Sequence, residues 1–181
     1  MSKIVAARHC VAKESFSTFG SGGPPTQPLE SRFTHFRLPT MPRIKIDLPE
    51  RFSFSTEIPI YISYINYGHH LDNAALISLV AEARVRFFKS LGYTELDIEG
   101  VGIVVADVAA QYKSEAFHGE TLVVEMGANE FNKFGCDLVW RLSDQASGRE
   151  VARGKHGIVF FDYAVRKPTA APAAFIAKVT V

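Results

Sequence analysis

The stretch INYGHHLDNAALISLVAEAR, residues 65–84, sets a glycine, two adjacent histidines and an aspartate directly before a run with helical spacing. Leu76, Leu79, Val80, Ala83, Phe87 and Leu91 recur at intervals of three and four, the period that gathers apolar side chains on one face of an α-helix. Asp72 or Asn73 has the side chain to cap the first turn, and Gly92 has the backbone freedom to end the last. Arg84, Arg86 and Lys89 fall mainly outside that stripe. A helix with one continuous apolar face must bury it against another layer.

The flanking sequence supplies that layer. Upstream, FSFSTEIPIYISYIN from residue 52 is aromatic and β-branched with partial alternation, which predicts a strand whose Pro59 suits a sheet edge or a bulge. Downstream, VGIVVADVAAQYKSEA (101–116), TLVVEMGANEF (121–131), FGCDLVWRLSD (134–144) and REVARGKHGIVFFDY (149–163) predict four more strands. The turns HGE (118–120) and QASG (145–148) separate them. Short connections make these four an expected meander of antiparallel neighbours. The expected fold is therefore α+β: a single domain in which a long central helix is wrapped by a curved antiparallel sheet of about five strands. The tail KPTAAPAAFIAKV is expected to add a short turn of helix.

With 181 residues, 47% of them hydrophobic, the chain can build one good core. Twenty basic against 19 acidic residues leave a formal charge of +1, too little to gather nucleic acid or an anionic membrane surface, and neither is expected as a partner. Cys10 and Cys136 fit a reduced cytosolic chain better than a disulfide framework, and no apolar run approaches the roughly 20 residues of a membrane-spanning helix. A cytoplasmic, soluble protein is the expectation. Residues 1–40, rich in Gly, Pro, Ser and Thr, read as a disordered or non-native extension, and residues 41–181 as the domain. An over-long gene start is favoured over a targeting presequence, because Met41 opens MPRIKIDLPERF where ordered-looking sequence begins.

The order strand, YINYGHHLDN, a helix carrying Glu82, Ala83 and Arg84, then four strands resembles the hotdog-fold acyl-CoA thioesterases of the 4-hydroxybenzoyl-CoA thioesterase class. QYKSEAFHGETLVVE, SGREVARGKHGIVFFD and KPTAAPAAF are similar to that family's tyrosine-bearing strand, last strand and proline-bearing tail. The resemblance covers about residues 52–163 and implies hydrolysis of an acyl-CoA to free acid and CoA, with the acyl group in an apolar tunnel under the helix. It also implies a homodimer or dimer of dimers with the active site at the subunit boundary. One departure matters. The family's catalytic carboxylate, four positions before the motif histidine, aligns with Asn66 when His70 takes the histidine's place, and the family's other aspartate aligns with Tyr64. An amide orients water or holds a carbonyl but accepts no proton near neutrality.

Thioester hydrolysis needs a proton acceptor and donors aimed at the developing oxyanion. The amide of Asn73, at the family's oxyanion position on a helix N-terminus, is the candidate donor. His70 is a candidate base or carbonyl polariser, and Glu82 a candidate base beside the apolar stripe. Against these stand plainer readings: Asp72 and Asn73 as caps, His69 and His70 as partners of backbone in a tight Gly68 turn, and Glu82 as the ordinary i,i+4 partner of Arg86. Tyr67, Gly68, His69 and Asp72 are the candidate substrate-binding residues of the turn. Arg149, Arg153, Lys155, Arg166 and Lys167 concentrate basic charge for coenzyme A phosphates, Arg153 and Lys155 being the chosen pair. His118 and His156 stand alone and read as structural. No P-loop, G-x-G-x-x-G, C-x-x-C or H-E-x-x-H occurs, so no metal and no cofactor beyond the substrate's CoA are expected. The alternatives are a non-catalytic acyl-CoA binding module and, less favoured, an R-specific enoyl-CoA hydratase-like lyase, whose N-P-x-H-x-D segment NYGHHLDN resembles only in passing.

Overall fold

The structure, a computed structural model, describes residues 44–180. The expectation for residues 1–40, and with it Cys10, falls outside the described residues. Strand β1 (Phe54–Pro59) leads through a 3-10 turn (Ile62–Tyr64) into the long helix α1 (Asn73–Ser90). Strands β2 (Gly102–Tyr112), β3 (Thr121–Asn129), β4 (Gly135–Asp144) and β5 (Glu150–Asp162) follow, then a two-residue strand β6 (Lys167–Pro168) and helix α2 (Ala173–Val179).

Asp72 caps α1: its carboxylate accepts from the N–H groups of Ala74 at 2.8 Å and Ala75 at 3.1 Å. The helix stops where Gly92 takes a φ of 84°, a left-handed conformation that costs glycine nothing. The stripe expected from spacing is the buried face, with Leu76, Leu79, Val80, Ala83 and Phe87 in the core, Phe88 joining them and Leu91 partly buried. That face packs on the inner face of the sheet, formed by Leu122, Val124 and Met126 of β3, Leu138, Trp140 and Leu142 of β4, and Ile158 and Phe160 of β5. Phe175 of α2 closes one end, its ring 5.3 Å from Phe160 and 5.8 Å from Phe88.

The sheet runs β1-β3-β4-β5-β2, all antiparallel, with β6 beside β5. This corrects the expected four-strand meander: β3, β4 and β5 are consecutive neighbours, but β2 pairs with β5 and forms the far edge. Residues 113–120 cross instead of turning back. Their polar groups find partners on the way, the N–H groups of Lys113 and Ser114 donating to Val151 O and the Ala116 carbonyl accepting from Leu71 N–H at 2.8 Å. A hairpin was therefore not needed to satisfy that backbone. Pro59 lies at the end of β1, an edge strand, where its missing N–H removes little from the ladder.

On the outer face, residues 44–48 lie across β2 and β5. Ile46 N–H donates to the Gln111 side chain at 3.1 Å, and the Ile46 carbonyl accepts from Arg153 at 3.5 Å. Ile46 and the outward-facing Val139 are both buried.

Candidate active site

The first residue of α1 lines a cavity of about 320 Å³. Asn66, His70 and Leu71 of the preceding turn, Asn73 and Leu76 of the helix, residues 112–116 and Val151 form its walls. The turn folds tightly: the N–H of Asn66 donates to His70 O and that of His69 to Asn66 O, each at 3.0 Å. His69 sits at φ 66°, a costly place for a side chain with a Cβ, and projects outward with the fully exposed Tyr67.

Asn66 is held in one orientation. Its Oδ1 accepts from Gly68 N–H at 2.8 Å, so its Nδ2 is the end that faces His70 Nδ1 at 3.4 Å. An amide nitrogen only donates, which makes His70 Nδ1 an acceptor and leaves the ring proton on Nε2. The contact of Nδ1 with Leu71 O, 3.3 Å, belongs to the opposite tautomer. His70 Nε2 lies over Gly68, where a Cβ would come within 2.8 Å of it. A side chain at position 68 would have to move the His70 ring aside.

Asp72 spends its carboxylate on Ala74 and Ala75, leaving the N–H of Asn73 without a partner among the described residues. That N–H sits at the positive end of an 18-residue helix and is favourably placed for an oxygen carrying negative charge. The Asn73 carbonyl meanwhile accepts from the Tyr112 hydroxyl at 3.3 Å, tying the helix start to the end of β2.

Of the residues singled out in the sequence, Asn66, Gly68, His70, Asp72 and Asn73 come together at this turn, although Asp72 and Gly68 act on backbone and ring rather than lining the cavity. Others are elsewhere. Glu82 lies along the helix and accepts from Arg86 Nε at 2.7 Å, the i,i+4 pair, while Arg86 also reaches Thr56 and Glu57 of β1. Arg153 and Lys155 stand on the outer face of the sheet, paired with Glu150 and Asp137, and those partners hold both cations above their usual pKa. Arg149 holds Glu120 with two 3.0 Å bonds.

Residues 113–116 of the cavity wall were not singled out, because what brings them to the helix start is the crossing of residues 113–120, which no local period encodes. Arg84 also departs from expectation. Its side chain, 12% exposed, bonds Glu95 at 2.7 Å and donates to His156 Nδ1 at 3.3 Å beneath the helix. His156 is 1% exposed, and burial, reinforced by the Arg84 charge and opposed by Asp107, pushes its pKa down to about 4. It is a structural histidine. Burial and the adjacent Asp137 push the Cys136 thiol up to about 12. Among the described residues no group of three or more His, Cys, Asp or Glu side chains is placed to hold a metal ion.

Residues 60–179 match the family model described as the Thioesterase-like superfamily. Among similar solved structures are PA2801 of Pseudomonas aeruginosa (24% identity, 71% of this chain and 99% of that one, TM-score 0.65) and Slr0204, a 1,4-dihydroxy-2-naphthoyl-CoA thioesterase from Synechocystis (15%, 70% and 95%, TM-score 0.64). A thioesterase complexed with coenzyme A and Zn from Thermus thermophilus also matches (16%, 72% and 100%, TM-score 0.62). These likenesses establish the shared fold. No curated protein matches the chain.

Proposed function

Since this chain belongs to the Thioesterase-like superfamily, we propose that it hydrolyses an acyl-CoA to free acid and CoA in the cavity at the start of α1. The observation that carries the reading is the unpartnered Asn73 N–H at the positive end of a long helix whose first residue lines a partly apolar cavity. A thioester carbonyl lodged there accepts from that N–H, and the negative charge that grows on its oxygen during attack is met by a donor already in place. The Asn66 amide and the His70 Nε2–H are further donors, so the residue standing where the family has its aspartate polarises and positions instead of accepting a proton.

Leu71, Leu76, Ala116 and Val151 provide apolar wall for the acyl portion. Leu79, Val80, Ala83 and Phe87 fill the space under the helix, so the acyl group of this proposal sits at the helix start instead of in the expected tunnel. Coenzyme A enters as part of the substrate, and the reaction needs no other cofactor. That the solved Thermus thermophilus relative is complexed with coenzyme A supports this choice of thiol.

We place the protein in the cytoplasm as a homodimer, with dimers free to pair further. Support comes from the far-edge strand β2, which leaves its ladder open on one side and exposes Val105, Val108 and Tyr112. Tyr112 also lines the cavity, so a partner on this edge would wall the site.

Two variants test the donor directly. Asn73 is the first helical residue and Asp72 before it is already extended, at φ −65° and ψ 140°, so Asn73→Pro removes the N–H while respecting helix and preceding residue. With free thiol followed over a panel of acyl-CoA esters, Asn73→Pro is expected to lower kcat/KM by about 10²–10³-fold, whereas Asn73→Ala, which keeps the N–H, loses far less. Equal activity of the proline variant and wild type would exclude the Asn73 N–H as the oxyanion donor.

A further inference from the structure

We propose that Glu115 is the proton acceptor of the hydrolytic reaction. The inference rests on the thioesterase reading and supplies what that reading lacks, a base in place of the carboxylate that Asn66 has displaced.

The candidates can be eliminated one at a time. Asn66 presents its amide nitrogen to His70 and has its oxygen bonded to Gly68 N–H. On the tautomer that the Asn66 amide selects, His70 Nδ1 accepts from that amide and Nε2 presents a donor to the cavity. Ser114 Oγ donates to Glu150 O at 2.8 Å and accepts from Arg149 at 2.9 Å. Tyr112 donates to Asn73 O, and Lys113 is a cation. Among the residues lining the cavity, Glu115 alone carries a carboxylate.

Its surroundings leave that carboxylate free. Arg149 anchors the loop by its backbone and neighbours: Nη1 donates to the Glu115 carbonyl and to Ser114, while Nη2 is engaged by both oxygens of Glu120. Ala116 O accepts from Leu71 N–H, joining the same loop to the turn before α1. The backbone at residue 115 is thus pinned on both sides. Among the described residues the Glu115 carboxylate itself has neither hydrogen bond nor ion pair. A fixed backbone beneath an uncommitted carboxylate is what a general base requires.

In the step proposed, the water oxygen bonds to the acyl carbon as one water proton passes to the Glu115 carboxylate, and the carbonyl oxygen takes the negative charge at Asn73 N–H. Collapse of that adduct breaks the C–S bond. The departing CoA thiolate receives the proton held by Glu115, leaving carboxylic acid, CoA thiol and the original carboxylate.

The test compares wild type, Glu115→Gln and Glu115→Asp on the acyl-CoA that wild type hydrolyses best, reading thiol release across pH. The other titratable groups facing the cavity are His70, Tyr112 and Lys113. Glu115 is exposed, so the isosteric Glu115→Gln preserves the fold, checked by an unchanged melting temperature. Expected for Glu115→Gln is a fall in kcat of about 10²–10⁴-fold with KM little changed and loss of the rise of kcat with pH; Glu115→Asp restores part of both. An active wild type whose Glu115→Gln variant keeps kcat and the pH limb overturns the assignment and leaves the thioesterase reading standing. A wild type that binds acyl-CoA esters without releasing thiol overturns both.

Discussion

At the scale of single residues, the site depends on close approaches that leave little slack. Gly68 touches the His70 ring so nearly that a methyl group would meet Nε2 at 2.8 Å, and Asn66 Oδ1 at 3.2 Å. Gly68→Ala should therefore push His70 and the Asn66 amide out of register without disturbing the core. A misplacement of about 1 Å costs on the order of 10²-fold in turnover, and kcat/KM is expected to fall accordingly while urea unfolding stays near wild type. A variant of normal activity would show that His70 needs no fixed position. That Asn66, His70 and Asn73 meet at one cavity wall follows from a motif at fixed spacing beside a helix start. Glu82 shows the limit of such reasoning: its spacing beside the stripe fits a channel and a surface pair equally, and Arg86 at i+4 with Thr56 and Glu57 beyond decided for the pair.

Among the elements, β5 is tightly constrained by both of its neighbours. At Gly154 an added Cβ would lie 2.1 Å from the Trp140 ring and 2.4 Å from Ala109 O on the other neighbouring strand. Backbone cannot yield as a side-chain tip can. Gly154→Ala is expected to destabilise the fold by roughly 1–3 kcal/mol or more, read as a lowered denaturation midpoint. A midpoint equal to wild type would mean that Trp140 repacks freely. The later strands and α1 were legible to within a few residues because each has its own period, two or three to four, written locally, whereas β1 stops at Pro59 and the apolar run after it, read as strand, turns through a 3-10 helix instead. The place of β2 was not legible. Strand order depends on where a connection can satisfy its polar groups at a distance, and Val151 O, Leu71 N–H and Arg149 are all remote in sequence from the crossing they support.

Across the whole molecule, a buried polar cluster links helix to sheet. His156 is neutral in the fold, with its pKa lowered from 6.5 to about 4, and beside it lie Trp140 and Arg84, which is itself bonded to Glu95. Below pH 6.5 the unfolded chain takes up a proton that the folded chain refuses, so the folded state loses stability as pH falls from about 6.5 towards 4. For one group the loss is on the order of 2–3 kcal/mol at the lower end. Urea unfolding at pH 7 and pH 5 should show it, and His156→Gln should flatten that part of the difference; an unchanged slope in the variant would assign the acid sensitivity elsewhere. Sequence reasoning placed His156 as structural from its isolation, but Arg84's reach beneath the helix came only with the packing.

The band of residues 44–48 has a consequence for assembly. By burying Ile46 with Val139 and occupying Gln111 and Arg153, it covers the part of the sheet's back formed by β2 and β5. A second sheet stacked over β2 and β5 would first have to peel that band away.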